Sequence, residues 1–179
     1  MYQVKQFKHM GATPLSTDHT FVISRTFDAP RKLVWKMWTE PERFKQWFGP
    51  KGSTVSEFKI DLRVGGTALS CIRTPDGREM WGKFIFREIA PPERLVYDQY
   101  FTDREGGIAR HPMVPTWPLQ MLTTVTFTEK KGKTTLTVQW TPVNPTDEER
   151  KTFDSAREGM KQGWGGSFEQ LADCLVSGA

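Results

Sequence analysis

Six segments between residues 54 and 142 alternate apolar with polar or smaller residues, and short turn sequences separate them. This period of two is typical of half-buried β-strands. A seventh segment, at 21–27, has the same pattern. PDG at 75–77, PP at 91–92 and KGK at 131–133 are strong turn signals, so we expect neighbouring strands to pair antiparallel. The seven segments are FVISRTF, VSEFKI, TALSCIRT, EMWGKFIFREI, RLVYDQYF, MLTTVTFTE and TTLTVQWT.

Two short helices are predicted between the first strand and the other six. Asp28 followed by Pro30 favours a helix start, because a carboxylate accepts from the free amide hydrogens of the first turn and proline fits that turn. Thr39 and Glu42 have the spacing of a capping box, which indicates a second start directly after the first helix. The GP pair at 49–50 is a stop signal. We therefore expect two helices that meet at a corner.

The last part of the chain is predicted to form one long amphipathic helix. Thr146 and Glu149, after Pro145, again have capping-box spacing. At about 100° per residue, the apolar residues that follow fall on one stripe, which must be buried. The stripe consists of Phe153, Met160, Trp164, Phe168, Leu171 and Leu175.

Four glycines interrupt this helix: Gly159, Gly163, Gly165 and Gly166. Each costs about 0.8–1 kcal/mol relative to alanine in a helix interior. On a helical wheel three of them, Gly159, Gly163 and Gly166, fall close together but more than a quarter-turn from the apolar stripe. The wheel therefore does not indicate that they make room for a ligand on the sheet side. Three interpretations stay open. The glycines form an inert solvent-facing surface, they allow a bend near 163–166 that leaves a cavity, or they let another backbone approach closely, as in a homodimer.

Length and charge restrict the class of protein. A chain of 179 residues predicts one domain. Residues 1–19 are polar and carry Gly11 and Pro14, so we expect a loosely held N-terminal arm followed by a domain at 20–177. The formal charge of +4 comes from 25 basic and 21 acidic residues spread along the chain. This distribution lacks the dense basic tract typical of nucleic-acid or membrane-surface binding.

The same patterns exclude several partners. The aromatic residues alternate with polar ones, as inward-facing strand positions do, and they do not interleave with basic residues as in a stacking platform for nucleic acid. No apolar run reaches the roughly eighteen residues of a membrane span, and no signal-peptide pattern is present. We therefore expect no nucleic-acid partner, no membrane insertion and a cytoplasmic location.

The order of elements, one strand, two short helices, six antiparallel strands and a long C-terminal helix, is that of the helix-grip fold. This α+β fold is also called START-like or pollen-allergen-like. Residues 21–175 resemble the family of the activator of heat shock protein 90 ATPase homologue (C-terminal domain), within the SRPBCC superfamily. The resemblance implies a curved antiparallel sheet of about seven strands wrapped around the last helix. Its motifs are FDAPRKLVWKMWTEPERFKQWFGPKG, RVGG at 63–66, PDG at 75–77, EIAPPERLV at 88–96 and GW at 163–164.

The resemblance also implies a cavity, because in many relatives the gap between sheet and helix is too large for side chains to fill. Such pockets are largely apolar, so we expect a hydrophobic or amphipathic small molecule to bind here. The stretch from 102 to 120 has no clear period and is longer than most loops, which favours a role as a lid. The candidate lining residues are Trp47, Phe48, Met80, Phe84, Trp117, Met121, Met160 and Trp164.

Signals for catalysis are few. His111, with Asp98 on a neighbouring strand, is the best candidate for a general base and its partner. A second hypothesis for the function is therefore an enzyme that acts on a hydrophobic substrate. The three histidines and two cysteines lack metal-ligand spacing, and neither a phosphate loop nor a dinucleotide fingerprint is present. We therefore expect no metal and no cofactor.

A third hypothesis is a protein-interaction or co-chaperone-like module. It includes self-association through the glycine face, formed by Gly159, Gly163 and Gly166. The family takes its name from a eukaryotic co-chaperone, in which such a domain follows a separate N-terminal domain. The twenty residues before the first strand leave no room for such a domain, so we do not expect a chaperone interaction.

Overall fold

The computed structural model describes residues 19–178, which form seven strands and four helices. The elements are β1 Phe21–Phe27, α1 Arg31–Thr39, α2 Pro41–Phe44, β2 Thr54–Ile60, β3 Thr67–Arg73, β4 Glu79–Ala90, β5 Arg94–Thr102, β6 Met121–Lys130, β7 Lys133–Pro142, α3 Asp147–Ser155 and α4 Arg157–Ser177. The strands form one curled sheet in the order β1-β7-β6-β5-β4-β3-β2. The predicted helix-grip fold is confirmed.

All neighbouring strands pair antiparallel, as the turn signals predict. The PDG turn at 75–77 joins β3 to β4, and its Gly77 has a φ of 84°. The KGK turn joins β6 to β7 through Lys131 and Gly132, both at positive φ. Glycine adopts this left-handed conformation without a steric penalty. These two turns therefore join neighbouring strands as antiparallel hairpins.

The two short helices begin close to where they are predicted, but α2 ends at Phe44 and does not reach the stop signal at 49–50. The predicted caps are also wrong. Asp28 does not cap α1, which follows Pro30 without a side-chain cap. The N–H of Arg31 donates instead to Glu129 Oε2 at 2.7 Å, from the end of β6. Thr39 does not cap α2, because its hydroxyl donates to a carbonyl oxygen within α1. At α1 a partner distant in sequence thus replaces the local cap, whereas α2 has no side-chain cap.

The predicted final helix is two helices. The predicted capping box is present at the start of α3, where the Thr146 hydroxyl accepts from the N–H of Glu149 and the Glu149 carboxylate accepts from the N–H of Thr146. Ala156, with φ −88° and ψ 0°, separates α3 from α4. Helix α4 continues without a break through 163–166, and a bend there stays a prediction. Neither α4 nor any other helix within residues 19–178 is long and apolar enough to cross a membrane.

Most of the predicted N-terminal arm lies outside the described residues. Its last residue, His19, is held against the domain, because its Nδ1 lies 2.8 Å from a carboxylate oxygen of Asp154. The guanidinium of Arg157 donates to the carbonyl oxygen of Thr20 at 3.0 Å. His19 therefore belongs to the domain and not to the arm in which the sequence placed it.

Helices α1 and α4 fill one half of the concave face of the sheet. Helix α4 packs against β1 and α1, and α1 packs against β6 and β7. Phe27 and Phe168 meet edge-to-face at 5.9 Å between ring centroids, and Trp38 meets Phe127 in the same way at 6.1 Å. The apolar stripe predicted for the last helix is buried, except that Leu175 is only partly buried. The other half of the concave face, formed by β3, β4 and β5, borders an open space.

Candidate functional site

A cavity of about 630 Å³ lies between the concave face of the sheet and helix α4. Strands β3, β4 and β5 form its floor, α3 and α4 its roof, and the turn at 48–50 and the long β5–β6 loop two of its walls. Small-molecule sites typically measure about 300–1,000 Å³. Aromatic rings make up much of the lining. They include Phe48, Phe84, Phe101, Trp117, Trp140 and Trp164.

The floor has a depression at Gly82. Ser70 on β3 and Phe101 on β5 are the register partners of Gly82, and directly paired residues lie on the same face of an antiparallel sheet. Since Gly82 has no side chain, the space between Ser70 and Phe101 stays open. A Cβ added to Gly82 would lie 3.6 Å from Ser70 Oγ, an ordinary contact distance. Glycine inside a strand lowers stability, and here it deepens the cavity.

Two glycines of α4 line the roof. An added Cβ at Gly159 or Gly163 would meet no described atom within 4 Å. On the same face, Gly166 packs against Lys51, whose backbone N and Cβ would each lie 3.5 Å from an added Cβ. The predicted separation from the apolar stripe is correct, and Gly159 is exposed, as the solvent-facing interpretation expects. This side of the helix borders the cavity and the turn that carries Lys51.

Replacing Gly159 with alanine is expected to raise the free energy of unfolding by about 0.5–1 kcal/mol, because alanine has the higher helix propensity and the methyl group meets open space. The thermal midpoint should rise by about 1–4 °C. Gly77→Ala is the matched control, since its Cβ would also meet open space but its φ of 84° favours glycine. The control should lower the midpoint. A lower midpoint for Gly159→Ala would show that the space is filled.

Helix α4 also fixes the turn that follows α2. The Ser167 hydroxyl donates to the carbonyl oxygen of Gly49 at 2.7 Å. The Gln170 amide donates to the same oxygen at 2.9 Å and to the carbonyl oxygen of Trp47 at 3.0 Å. Gly49 has a φ of 106°, a conformation that favours glycine. These bonds hold Phe48, between Trp47 and Gly49, against the cavity.

The long loop at 103–120 is tied to α3. The Arg110 guanidinium donates to the Glu149 carboxylate, and the hydroxyls of Thr116 and Thr152 are 2.9 Å apart. Burial raises the pKa of Glu149, but the bonds from Arg110 and from the helix N-terminus outweigh it and hold this pKa below its usual value. The ion pair is therefore present at neutral pH. A lid role for this loop stays a prediction.

His111 lines the cavity as a neutral ring. Its Nδ1 accepts from the backbone N–H groups of Met113 and Val114, both at 3.1 Å. Since Nδ1 is the acceptor, the hydrogen of the neutral ring is on Nε2. Burial lowers the pKa of His111, which also favours the neutral form. The ring packs against Phe101, 4.4 Å between centroids, and lies 6.2 Å from Trp117.

Five tryptophans form a continuous series of ring contacts from the core to the cavity. Trp47 lies 4.9 Å from Trp38, which stacks on Trp164 at 6.1 Å. Trp164 then contacts Trp140 at 5.4 Å, and Trp140 contacts Trp117 at 6.4 Å. The indole N–H groups of Trp140 and Trp164 are covered and have no hydrogen-bond partner among the described residues. The cavity therefore meets the apolar parts of these two rings.

The structure brings together most of the predicted pocket residues. Trp47 is an exception, because it is 1% exposed and its indole N–H donates to the carbonyl oxygen of Met37 at 2.8 Å. Trp47 is thus a core residue. Met121 is also outside the cavity and lines a separate pocket of about 30 Å³ beside it. The predicted residues that do line the cavity are Phe48, Met80, Phe84, Trp117, Met160 and Trp164.

The predicted catalytic pair is not brought together. Asp98 lies on the opposite face of β5 from Phe101, because successive residues of a strand face opposite sides. Its carboxylate accepts from Arg87 at 2.7 Å and from Gln120 at 2.9 Å. His111 has no carboxylate partner in the part of the chain that the structure describes. Asp98 therefore has a structural role outside the cavity.

Several lining residues were missed at the sequence level. On β4 the signal was present, because Met80 and Phe84 were selected and Gly82 lies between them at the same period of two. On β3 and β5 the inward positions follow only once the register with β4 is known. The missed residues include Ser70, Ile72, Gly82, Gln99, Phe101 and Trp140.

The cavity lining is uncharged. Within residues 19–178, no Asp, Glu, Lys or Arg side chain lines it, and no three His, Cys, Asp or Glu side chains come together as a metal site would require. Two of its polar groups have unused hydrogen-bonding capacity. The Ser70 hydroxyl has no partner among the described residues, and Gln99 uses its Oε1 to accept from Thr123 at 3.1 Å, which leaves its NH₂ group free.

The comparisons with known proteins agree with this architecture. A family model, Activator of Hsp90 ATPase homolog 1-like protein, matches residues 28–176. A search of curated proteins gave no match. Among solved structures, a protein from Nitrosomonas europaea is 25% identical with a TM-score of 0.73, and the match covers 91% of this chain and 97% of that chain.

Two further solved structures are similar over nearly their whole length. A protein from Arthrobacter aurescens is 27% identical with a TM-score of 0.73, and the match covers 91% of each chain. One from Staphylococcus epidermidis is 25% identical with a TM-score of 0.70, covering 93% of this chain and 96% of that chain. With the family match over residues 28–176 and the helix-grip fold, this chain belongs to the Activator of Hsp90 ATPase homolog 1-like protein family.

Proposed function

We propose that the protein binds a hydrophobic or amphipathic small molecule in the cavity between β3–β5 and α4. The observation that carries this proposal is an aromatic-lined cavity of about 630 Å³ beside a densely packed core. Protein interiors otherwise contain few voids larger than a water molecule. A fold of this type generally binds hydrophobic ligands. A ligand that removes these rings from water is favoured by the hydrophobic effect.

The placement of glycines supports the same function. Gly82, Gly159 and Gly163 line the cavity, and each lies inside a strand or helix where alanine would be the more stable residue. No positive φ requires glycine at these positions. The chain thus gives up stability at three positions that keep the cavity open, as expected where open space serves a function.

Ligand binding can be tested on the unmodified protein. We expect saturable fluorescence enhancement of a naphthalene sulfonate dye, and a rise in the thermal midpoint with members of a lipid and aromatic-metabolite panel. At a ligand concentration of 100 times Kd, stability should increase by about 2.7 kcal/mol. If neither the dye nor any panel member gives saturable binding or a thermal shift, the proposal is wrong.

A pair of helix variants tests where the ligand binds. Gly163→Leu is expected to weaken binding roughly 5- to 150-fold, because forcing the leucine and the ligand into one space costs about 1–3 kcal/mol. Gly165→Leu is the matched control, since Gly165 lies on the same helix, its Cβ would also meet open space, and it does not line the cavity. The measurement is titration calorimetry of both variants. Equal loss in the two would place the ligand elsewhere.

The other two readings have their own tests. An enzyme acting on a hydrophobic substrate in the same cavity would depend on His111, since Asp98 lies outside the cavity. Turnover that His111→Ala abolishes while ligand binding persists would support this reading. Self-association through the glycine face remains a prediction. Light scattering on Gly163→Gln tests it, because a larger residue within an interface would change the measured mass.

A further inference from the structure

We propose, building on the binding function above, that the ligand is an uncharged aromatic molecule with a hydrogen-bond acceptor. In this proposal the ring Nε2–H of His111 is the donor that holds the acceptor. The inference deepens the proposed function by naming the chemical class of the ligand and the residue that orients it. It follows from the lining of the cavity, from the hydrogen bonds of His111 and from the positions of the free polar groups.

The first step is the absence of charge. No Asp, Glu, Lys or Arg side chain within residues 19–178 lines the cavity. A charged ligand group that enters such a site loses its water without gaining a counter-ion, and this loss is expensive unless the charge is paired. Burial also lowers the pKa of His111, so the ring does not supply a positive charge at neutral pH. The lining therefore favours an uncharged ligand over an anion or a cation that carries the same ring system.

The second step is the fixed orientation of His111. The backbone N–H groups of Met113 and Val114 both donate to Nδ1 at 3.1 Å. Protonating or rotating the ring would break both bonds, so the loop itself holds the imidazole as a donor through Nε2. No acceptor within residues 19–178 pairs with that Nε2–H. A neutral ring in a cavity wall with one unused donor is available to an acceptor on the ligand.

The third step is the position of the other free polar groups. Gln99 and Phe101 are two residues apart on β5, so both face the cavity. The His111 ring packs on Phe101 at 4.4 Å. The free NH₂ group of Gln99 is also a donor, and the Ser70 hydroxyl lies across Gly82 from Phe101. The unused capacity around Phe101 is thus mainly donor capacity, which favours a carbonyl, ether or hydroxyl oxygen on the ligand.

The fourth step is the shape of the lining. The rings of Phe101, Trp117, Trp140 and Trp164 border the cavity, and aromatic pairs prefer offset-stacked or edge-to-face contacts with flat partners. Trp140 and Trp164 already meet edge-to-face, with an interplanar angle of 72° and 5.4 Å between ring centroids. A flat ring system placed among them can stack on one ring and meet another edge-on. An aliphatic chain would gain burial but not these contacts.

A matched series of naphthalenes tests the class. The four probes are 2-ethylnaphthalene, 2-acetylnaphthalene, 2-naphthoate and 2-naphthylmethylammonium, which share a ring and differ in acceptor and charge. Measured by titration calorimetry on the unmodified protein at neutral pH, the ketone is expected to bind tightest. Its advantage over the hydrocarbon should be about 3- to 10-fold, the typical net effect of one neutral hydrogen bond.

His111→Phe tests the assigned donor, because it keeps an aromatic ring but has no N–H. The ketone-to-hydrocarbon affinity ratio is expected to fall to one or below. The ratio is compared because the loss of the hydrogen bonds between residue 111 and the loop would weaken the binding of both probes equally, and such a common loss does not change their ratio. If the variant does not fold, the ring ¹⁵N–¹H spectrum of the unmodified protein decides. The Nε2–H signal of His111 should shift with the ketone in a way that the hydrocarbon does not reproduce.

The outcomes separate this inference from the function on which it rests. If the hydrocarbon binds as well as the ketone, or if the carboxylate or ammonium probe binds tightest, the inference is overturned and the binding function stands. An unchanged ratio in His111→Phe, or an unshifted Nε2–H signal, overturns the assignment of His111. If none of the four probes binds and the dye does not bind either, the proposed function fails and the inference fails with it.

Discussion

Replacing Trp47 with alanine is expected to lower the free energy of unfolding by about 3–5 kcal/mol, the usual cost of truncating a buried tryptophan. The side chain is 1% exposed and contacts the rings of Phe44 and Trp38. Its indole N–H also donates a hydrogen bond to the carbonyl oxygen of Met37. Four residues after Met37 the chain has Pro41, which has no N–H to donate, so no other helical partner is available for that oxygen. Urea unfolding, followed by far-UV circular dichroism, measures the loss.

Trp47→Phe is the control for this prediction. It keeps most of the apolar volume but removes the hydrogen bond to Met37, so we expect a smaller loss of about 1–3 kcal/mol from the unsatisfied carbonyl. Since Trp47 does not line the cavity, the affinity of the folded variant for the cavity ligand should stay the same. A loss below about 1 kcal/mol for Trp47→Ala, or a large change in affinity for Trp47→Phe, would contradict its assignment to the core.

Replacing Gly66 with alanine is expected to destabilise the domain by about 3 kcal/mol or more, at the upper end of overpacking costs. A Cβ at this position would lie 2.2 Å from the carbonyl oxygen of Asp61 and 2.9 Å from that of Arg63. Both neighbours are backbone atoms, so the chain itself would have to move. Gly66 also accepts from the N–H of Phe86 at 3.0 Å, a bond that joins this turn to β4. The measurement is again the urea midpoint.

The neighbouring glycine provides the control. A Cβ at Gly65 would meet no described atom within 4 Å, but φ is 79° there. Gly65→Asn should cost less than about 1 kcal/mol, because asparagine tolerates the left-handed conformation better than other residues. If the two variants have equal stability, the close approach at Gly66 is not what the RVGG motif requires. The expected difference gives that motif a steric explanation.

The sheet could be predicted from the sequence because each of its features has a local cause. The period of two identifies each strand, and the turn residues at 75–77 and 131–133 limit neighbouring strands to antiparallel pairing. The capping box of Thr146 and Glu149 is also local, and it is present at the start of α3. The sequence alone is therefore sufficient to predict an element when the residues that determine it lie within a few positions of one another.

The helix break could not be predicted, because its residue gives no local signal. Ala156 is the residue type with the highest helix propensity, and yet its backbone leaves the helical conformation. The glycines at 163–166 carry the local signal for a bend, but the helix continues through them. Contacts that fix α3, such as those of Arg110 with Glu149 and Thr116 with Thr152, join residues more than thirty positions apart in the sequence. Only tertiary structure reveals them.

The cavity could be predicted in kind but not in detail. The helical wheel gave the correct angle between the glycines and the apolar stripe, but it could not show that the glycine side of the helix borders a cavity. Trp47 and Phe48 lie in a turn, which has no periodic pattern of side-chain directions. The sequence therefore does not indicate that Trp47 faces the core and Phe48 the cavity. The pair of Asp98 and His111 failed at Asp98, because the face of β5 that borders the cavity follows only from the register of this strand with β4.

The connected tryptophan rings give the protein an intrinsic optical signal. Trp117, Trp140 and Trp164 border the cavity, and the contacts continue through Trp38 to Trp47 in the core. Indoles this close exchange excitation energy, so a ligand that quenches one ring reduces the emission of the others. A ligand that fills the cavity is therefore expected to alter the same fluorescence that reports unfolding. The two processes are distinguished by wavelength, because only unfolding exposes Trp47 to water and shifts its emission to the red.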